Sequence, residues 1–119
     1  MSVIDIDISI DQGATSDLEF VWVDSNGVAA DFVGAKAFLH VRHSPMSPLK
    51  LIELSTENGR IAFQGGSMWV RFEPSDTELA LWRRAYYDLL LVYPDGARQR
   101  FSQGRVLLSR AVTKGVKTP

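Results

Sequence analysis

The segment "YYDLLLVYPDGARQRFSQGRVLLS", residues 86–109, decides the fold class of this chain. Two long apolar-rich runs lie on either side of the turn sequence "PDG", a pattern that predicts two antiparallel strands. Gly104 is interpreted as a β-bulge in the second strand. Five large apolar side chains are expected in the core, where together they contribute on the order of 10 kcal/mol of gross stabilisation. These five are Leu89, Leu91, Phe101, Val106 and Leu108. The two strands are therefore expected at the centre of an all-β fold.

The N-terminal sequence "VIDIDISI", residues 3–10, alternates apolar and polar side chains. This alternation predicts a half-buried strand, and the aspartates on its polar side are typical of a sheet edge. Its apolar face consists of Ile4, Ile6, Ile8 and Ile10. In "LEFVWV", residues 18–23, both faces become apolar toward Trp22, which predicts a central strand.

The middle of the chain contains further strand signals separated by turns. "AKAFLHVRH", residues 35–43, alternates and predicts a strand, whereas the prolines of "SPMSP" predict an exposed loop. Another strand is expected over residues 49–54. Residues 61–72 predict a hairpin that turns at Gly65 and Gly66.

The sequence "PSDTELALW", residues 74–82, is the strongest helix signal. Ser75 and Glu78 have the spacing of a capping box, and Leu79 and Trp82 are expected to face the core. Together the patterns predict roughly seven to nine short strands and one short helical turn. They favour an immunoglobulin-like two-sheet antiparallel sandwich, with a small closed barrel as the alternative. The sandwich is expected to be one domain, residues 1–113, followed by a flexible C-terminal tail, residues 114–119.

Composition excludes several classes of function before any motif is considered. The 119 residues are 45% hydrophobic and 23% charged, which indicates a single globular domain. The net charge of −1 provides no field to gather nucleic acid, and the absence of cysteine removes disulfides and thiolate chemistry. The N-terminus does not resemble a signal peptide, and no apolar run approaches the ~20 residues that span a bilayer. We expect a protein used in the cytoplasm or in a particle assembled there.

Side chains that carry chemistry are present but do not form a recognisable site. His40 and His43 are expected on opposite faces of a strand, so they would not chelate one metal. No glycine belongs to a phosphate-binding loop, and no serine lies in a nucleophile elbow. Asp88 lies in an apolar run, where a buried acid would either be a catalytic base or bind backbone amides or an arginine such as Arg83 or Arg84. The sequence predicts no catalytic residue, no metal and no cofactor.

Outward-facing aromatic and arginine side chains are the better functional candidates. Trp69 alternates with Met68 and Val70, so it is expected to face away from them, toward either a partner or a second sheet. Arg98 and Arg100 share one strand face, which suits an acidic protein surface, a phosphate or plain solvent. The candidates for a protein interface are Ile4, Ile6, Trp69, Arg71, Arg98, Arg100 and Arg110.

The order of motifs along the chain resembles a family of small phage and prophage virion proteins. The first half carries "QGAT" at residues 12–15, a strand with Trp22, a turn from Asp24, and "DFVGAKA" at residues 31–37. The second half carries "LSTENGRIAF", "YYDLLLVYPDG" and "QGRVLLSRAVT". In this order the motifs span residues 10–113. The sequence departs from the family at "FV", where leucine and threonine are usual.

The resemblance implies a virion structural module similar to the N-terminal immunoglobulin-like domain of phage baseplate upper proteins. Such a module is non-enzymatic and acts in the tail, neck or baseplate region as an assembly or attachment part. It implies several symmetric copies that bind other phage structural proteins. The near-neutral charge disfavours nucleic acid as a partner, and the short apolar runs disfavour a membrane. Capsid decoration and a carbohydrate-binding module are the alternatives. The residues expected to maintain the geometry of the fold are Trp22, Asp31, Gly34, Asp88 and Gly104.

Overall fold

The structure is a computed structural model that describes residues 3–21, 26–28, 32 and 34–113. Within these residues it contains nine strands and one short helix. The strands of the first half are β1 (Ile4–Asp5), β2 (Ile8–Asp11), β3 (Ser16–Val21), β4 (Lys36–Arg42) and β5 (Ile52–Ser55). The remaining elements are β6 (Ile61–Gln64), β7 (Ser67–Phe72), α1 (Pro74–Thr77), β8 (Arg84–Val92) and β9 (Arg98–Ser109).

The strands form two sheets. The large sheet has the order β1-β9-β8-β4-β5, with β2 also paired to β9, and the small sheet has the order β3-β7-β6. β1 and β2 run parallel to β9, whereas the other pairs are antiparallel. This confirms the predicted all-β, two-sheet architecture, whereas the predicted antiparallel pairing is wrong for β1 and β2, which run parallel to β9. It also confirms that residues 86–109 form two adjacent long strands inside the large sheet.

The core lies between the two sheets. The five predicted core residues of β8 and β9 are all buried. The small sheet contributes Met68, Val70 and Phe72 to the same cluster. Phe101 joins the layers, because its ring centroid lies 6.4 Å from that of Phe20 in β3. Since side chains alternate along each strand, the opposite face of each sheet remains open to solvent or to a partner.

The middle of the chain agrees with its predictions except at residues 49–51, which were expected in a strand but precede β5. β4 alternates between buried and partly exposed residues, as its sequence pattern indicates. The loop that contains Met46 has no strand, and that side chain is exposed. β6 and β7 pair as the predicted hairpin. The turn between them uses Gly65, whose positive φ of 60° suits glycine.

β3 is an edge strand, so its predicted central position is wrong. Among the described strands it pairs with β7 alone, and Val21 at its end is exposed. Val21 is apolar although it lies on the outer side of the small sheet, so the sequence of β3 is apolar on both faces, as in a strand that is buried on both sides. Trp22 and Asp24 lie outside the described residues.

The N-terminal strand is interrupted, in contrast to its continuous pattern. Ile6 and Asp7 lie between β1 and β2, and Ile6 is 48% exposed, whereas Ile8 and Ile10 are buried. The predicted common apolar face is therefore wrong at Ile6. The cause is a close approach of the chain to β9, where the carbonyl oxygen of Ile6 lies over Gly104.

The bulge in β9 was predicted at Gly104, but it lies at Phe101. Leu89 pairs with Ser102 and the next residue, Leu90, pairs with Arg100, so Phe101 is the extra residue. Gly104 has a different role. A Cβ atom at this position would overlap the carbonyl oxygen of Ile6, so a larger residue would displace the segment that follows β1.

The N-cap of the helix lies two residues before the predicted cap, Ser75. Glu73 is the N-cap and Asp76 completes the capping box, because Pro74 favours the first helical position. Leu79 is exposed, which contradicts its predicted core position, whereas Trp82 packs against the core as expected. None of the described helical residues forms a helix long and apolar enough to cross a membrane.

Candidate interaction surfaces

The outer face of the large sheet carries polar side chains in rows across its strands. His40 of β4 lies opposite Asp88 of β8, and Asp88 lies opposite Gln103 of β9. The next row consists of Arg42, Tyr86 and Arg105. These positions alternate with the buried residues of the same strands, so their side chains point away from the core.

An open groove of about 820 Å³ crosses this face, and we name it the outer groove. Its polar floor is connected by a chain of contacts. Arg100 Nε lies 3.4 Å from Asp88 Oδ2, and Arg100 Nη1 donates to Gln103 Oε1 at 3.3 Å. Gln103 Nε2 in turn donates to Asp5 Oδ1 at 2.9 Å. The floor therefore offers oriented donors and acceptors side by side.

One wall of the outer groove is β1 with the residues that follow it. Asp7 Oδ1 accepts a hydrogen bond from the backbone N–H of Arg105, and Asp7 Oδ2 accepts one from its guanidinium, both at 2.9 Å. These bonds hold the pKa of the Asp7 carboxyl below its usual range. The Tyr87 hydroxyl donates to the Ile6 carbonyl at 2.7 Å. Burial raises the pKa of Tyr87, so the hydroxyl keeps its proton for this bond.

The opposite side of the outer groove is fixed by β4 and the loop after it. Arg42 Nη1 donates to the carbonyl of Ser47 at 3.1 Å and so holds this loop near the sheet. His40 Nε2 lies 3.3 Å from Glu53 Oε2, an oxygen that also binds Lys50 Nζ at 2.6 Å. Burial lowers the pKa of His40, and Lys50 adds to this effect, so together they outweigh the attraction of Glu53. His40 is therefore mainly neutral at pH 7.

A scan against protein-family models and a search of curated proteins found no match. The chemistry of these surfaces is therefore argued from their own residues. Among the residues that the structure describes, no group of three or more histidine, aspartate or glutamate side chains is placed to hold a metal ion.

Asp88 was expected to be a buried acid, and this expectation is wrong. Its side chain is 47% exposed, because it lies on the outer face of β8 and lines the outer groove. An arginine partner was correctly expected, but the partner is Arg100 and not Arg83 or Arg84. Arg100, predicted as an interface residue, is thus part of the groove floor.

The outer face of the small sheet presents Trp69 between Glu19 and Ala62 of the neighbouring strands. Trp69 is 38% exposed, which confirms that it faces away from Met68 and Val70. Beside it, the Arg71 guanidinium binds both carboxylate oxygens of Asp17, at 2.8 and 3.1 Å. We name Asp17, Glu19, Ala62, Trp69 and Arg71 the tryptophan face.

The remaining predicted residues are scattered. Ile4 is half-buried and packs against the core, whereas Ile6 lies on the wall of the outer groove. Arg98 is exposed at the start of β9, and Arg110 Nη2 donates to the Leu81 carbonyl at 3.0 Å. Trp22 and Asp31 lie outside the described residues, as does the predicted tail. At Gly34, φ is +75° and a Cβ would meet the ring of Pro94 at 2.8 Å, so its structural role is supported.

Sequence reasoning missed Tyr86, Arg105, Asp5 and Gln103 as members of one surface. Their strands were predicted, but the pairing register was needed to bring their outward side chains together. The bulge at Phe101 shifts the outward positions of β9 by one residue, from Arg100 to Gln103 and Arg105. A pattern of period two gives no signal for that shift.

Proposed function

We propose that this chain is a non-enzymatic structural module of a phage virion, acting in the tail, neck or baseplate region. The observation that carries the proposal is the tryptophan face. It combines an exposed tryptophan with a bidentate arginine–aspartate pair on a regular sheet surface. Tryptophan and arginine are enriched among residues that dominate protein interfaces. The motif order described above supplies the phage context.

We also propose that the sandwich is immunoglobulin-like, because its strand order agrees with that class. In the variable-type fold, strands B, E and D share one sheet and strands G, F, C and C′ share the other. When β3 to β9 are taken in chain order as strands B to G, with β5 as C′, the same two sheets result: β3-β7-β6 and β9-β8-β4-β5. The agreement supports the resemblance to the domain of baseplate upper proteins.

The proposal is tested by mass spectrometry of purified particles of the phage or prophage that encodes this chain. We expect the protein in the virion, at a copy number similar to that of tail or baseplate parts. A copy number similar to that of the major capsid protein would instead support capsid decoration. Absence from purified virions would contradict both roles.

The tryptophan face is tested by adding recombinant protein to particles that lack the chain. We expect wild type to bind and Trp69→Ala to lose binding, because the largest apolar contact is removed. Tyr86→Ala, on the other sheet, is the matched control and is expected to bind. Equal binding by both variants and wild type would exclude this face as the contact.

A further inference from the structure

We propose that the outer groove is a binding site for an uncharged oligosaccharide. This inference goes beyond the assembly role and does not depend on it. It rests on three features of the outer groove: balanced charge, an oriented set of hydrogen-bonding groups, and an exposed aromatic ring.

The charges that line the outer groove cancel. Three guanidinium groups, those of Arg42, Arg100 and Arg105, accompany three carboxylates, those of Asp5, Asp7 and Asp88. An anionic or cationic ligand would need an excess of the opposite charge to be concentrated there. A balanced and polar groove instead suits a neutral ligand rich in hydroxyl groups.

The hydrogen-bonding groups of the floor are held in place before any ligand arrives. Gln103 is fixed at both ends, since it accepts from Arg100 and donates to Asp5. Asp88 forms an ion pair with Arg100 at 3.4 Å, and its side chain is still about half exposed. A sugar hydroxyl both donates and accepts, so a row of carboxylate, guanidinium and amide groups can bind several hydroxyls at once. Pre-organisation reduces the entropic cost of binding.

Tyr86 supplies an apolar surface in the middle of this polar floor. It is 39% exposed and lies between Arg42 and Arg105 in the register of the sheet. The C–H face of a pyranose ring is apolar and packs on aromatic rings, whereas its hydroxyl edge needs polar partners. Tyr86 and the neighbouring row of Asp88 and Gln103 provide both kinds of contact. Because the groove is open, it admits a segment of a longer glycan.

The experiment is a titration of the isotope-labelled full chain, followed by NMR. The probes are neutral oligosaccharides of glucose, galactose, mannose or N-acetylglucosamine, with an acidic oligogalacturonate as the charged comparison. We expect at least one neutral probe to shift the Gln103 side-chain amide, the Arg100 Nε–H and the Tyr86 ring. Resonances of Trp69 are expected to stay unchanged.

Variants test the role of the aromatic ring. Tyr86→Ala is expected to weaken binding of that probe by at least about tenfold, while Tyr86→Phe retains it because the ring face remains. Trp69→Ala is the control on the other sheet and is expected to bind as wild type does.

Three outcomes would overturn the inference: no shift with any neutral probe, binding of the acidic probe alone, or shifts confined to the tryptophan face. Virion incorporation is measured separately, so failure of either proposal does not affect the other.

Discussion

Gln12 Nε2 donates a hydrogen bond to the carbonyl oxygen of Ala80, 3.2 Å away. The oxygen of the same side-chain amide accepts a bond from the backbone N–H of Ala111 at 3.1 Å. The largely buried Gln12 therefore connects the segment after α1 to the segment after β9. The next residue continues this connection, since the Gly13 N–H donates to the Thr77 hydroxyl at 2.8 Å. These contacts give the "QGAT" motif a structural explanation.

Replacing Gln12 by alanine is expected to destabilise the protein by about 1–3 kcal/mol, because buried backbone groups lose their partners. Gln64→Ala is the control, since Gln64 is exposed on β6, and it should change stability by less than about 0.5 kcal/mol. Urea unfolding followed by tryptophan fluorescence measures both. Equal midpoints for the two variants would show that the Gln12 contacts add no net stability.

Gly104→Ala is expected to separate β1 from β9, because the new methyl group would overlap the backbone of Ile6. The amide of Ile6, which donates to the Gln103 carbonyl at 3.0 Å, should then exchange its hydrogen faster. Gly65→Ala is the matched control: it also has a positive φ, but no atom lies near the added Cβ. Gly65→Ala should lower the free energy of unfolding by roughly 1–2 kcal/mol without specifically accelerating hydrogen exchange at the Ile6 amide. Unchanged protection of Ile6 in Gly104→Ala would contradict the close approach.

The strands and their buried faces were predictable from sequence because local alternation directly reflects burial. The hairpin at Gly65, the strand β4 and the core residues of β8 and β9 follow from that pattern. The interruption at Ile6 was not predictable, since it depends on Gly104, which is far away in the chain. The cap at Glu73 was missed because glutamate is an uncommon N-cap and Ser75 gave the more usual signal.

The candidate surfaces were predictable in part. Trp69 was identified correctly, because its two strand neighbours are both apolar and occupy the other face. The outer groove was not identified, since it requires the order β1-β9-β8-β4 and the register of each pair. Asp88 was misjudged for a related reason: apolar neighbours in sequence did not mean apolar neighbours in space.

Truncation of two neighbouring residues of β7 should destabilise the protein to different extents. Met68 is fully buried and Trp69 is partly exposed, so Met68→Ala should cost about 2–5 kcal/mol and Trp69→Ala about 1 kcal/mol or less. Thermal or urea unfolding followed by circular dichroism avoids the change in fluorescence. If Trp69→Ala lowers the free energy of unfolding by clearly more than this, the tryptophan face is covered within the protein itself and not by a partner.

Stability is expected to fall as the pH decreases through the range in which His40 titrates. Burial lowers the pKa of His40 in the folded protein, so below about pH 6.5 the unfolded chain takes up the proton more readily. Above the pKa that His40 has in the unfolded chain, His40 is neutral in both states and the free energy of unfolding is not reduced by its protonation. As the pH decreases further, the free energy of unfolding falls progressively until the pH is below the pKa of His40 in the folded protein. Glu53, whose own pKa is lowered chiefly by Lys50, contributes its loss only in more acidic solution.

The measurement is the urea midpoint as a function of pH in a His43→Gln background, where His40 is the remaining histidine. The charged groups around His40 are Lys50, Glu53, Arg42 and Asp88, and none of them is changed. We expect the midpoint to decrease from pH 7 toward pH 5, and adding His40→Gln should abolish that slope. A midpoint that rises in this range would mean that the attraction of Glu53 outweighs burial.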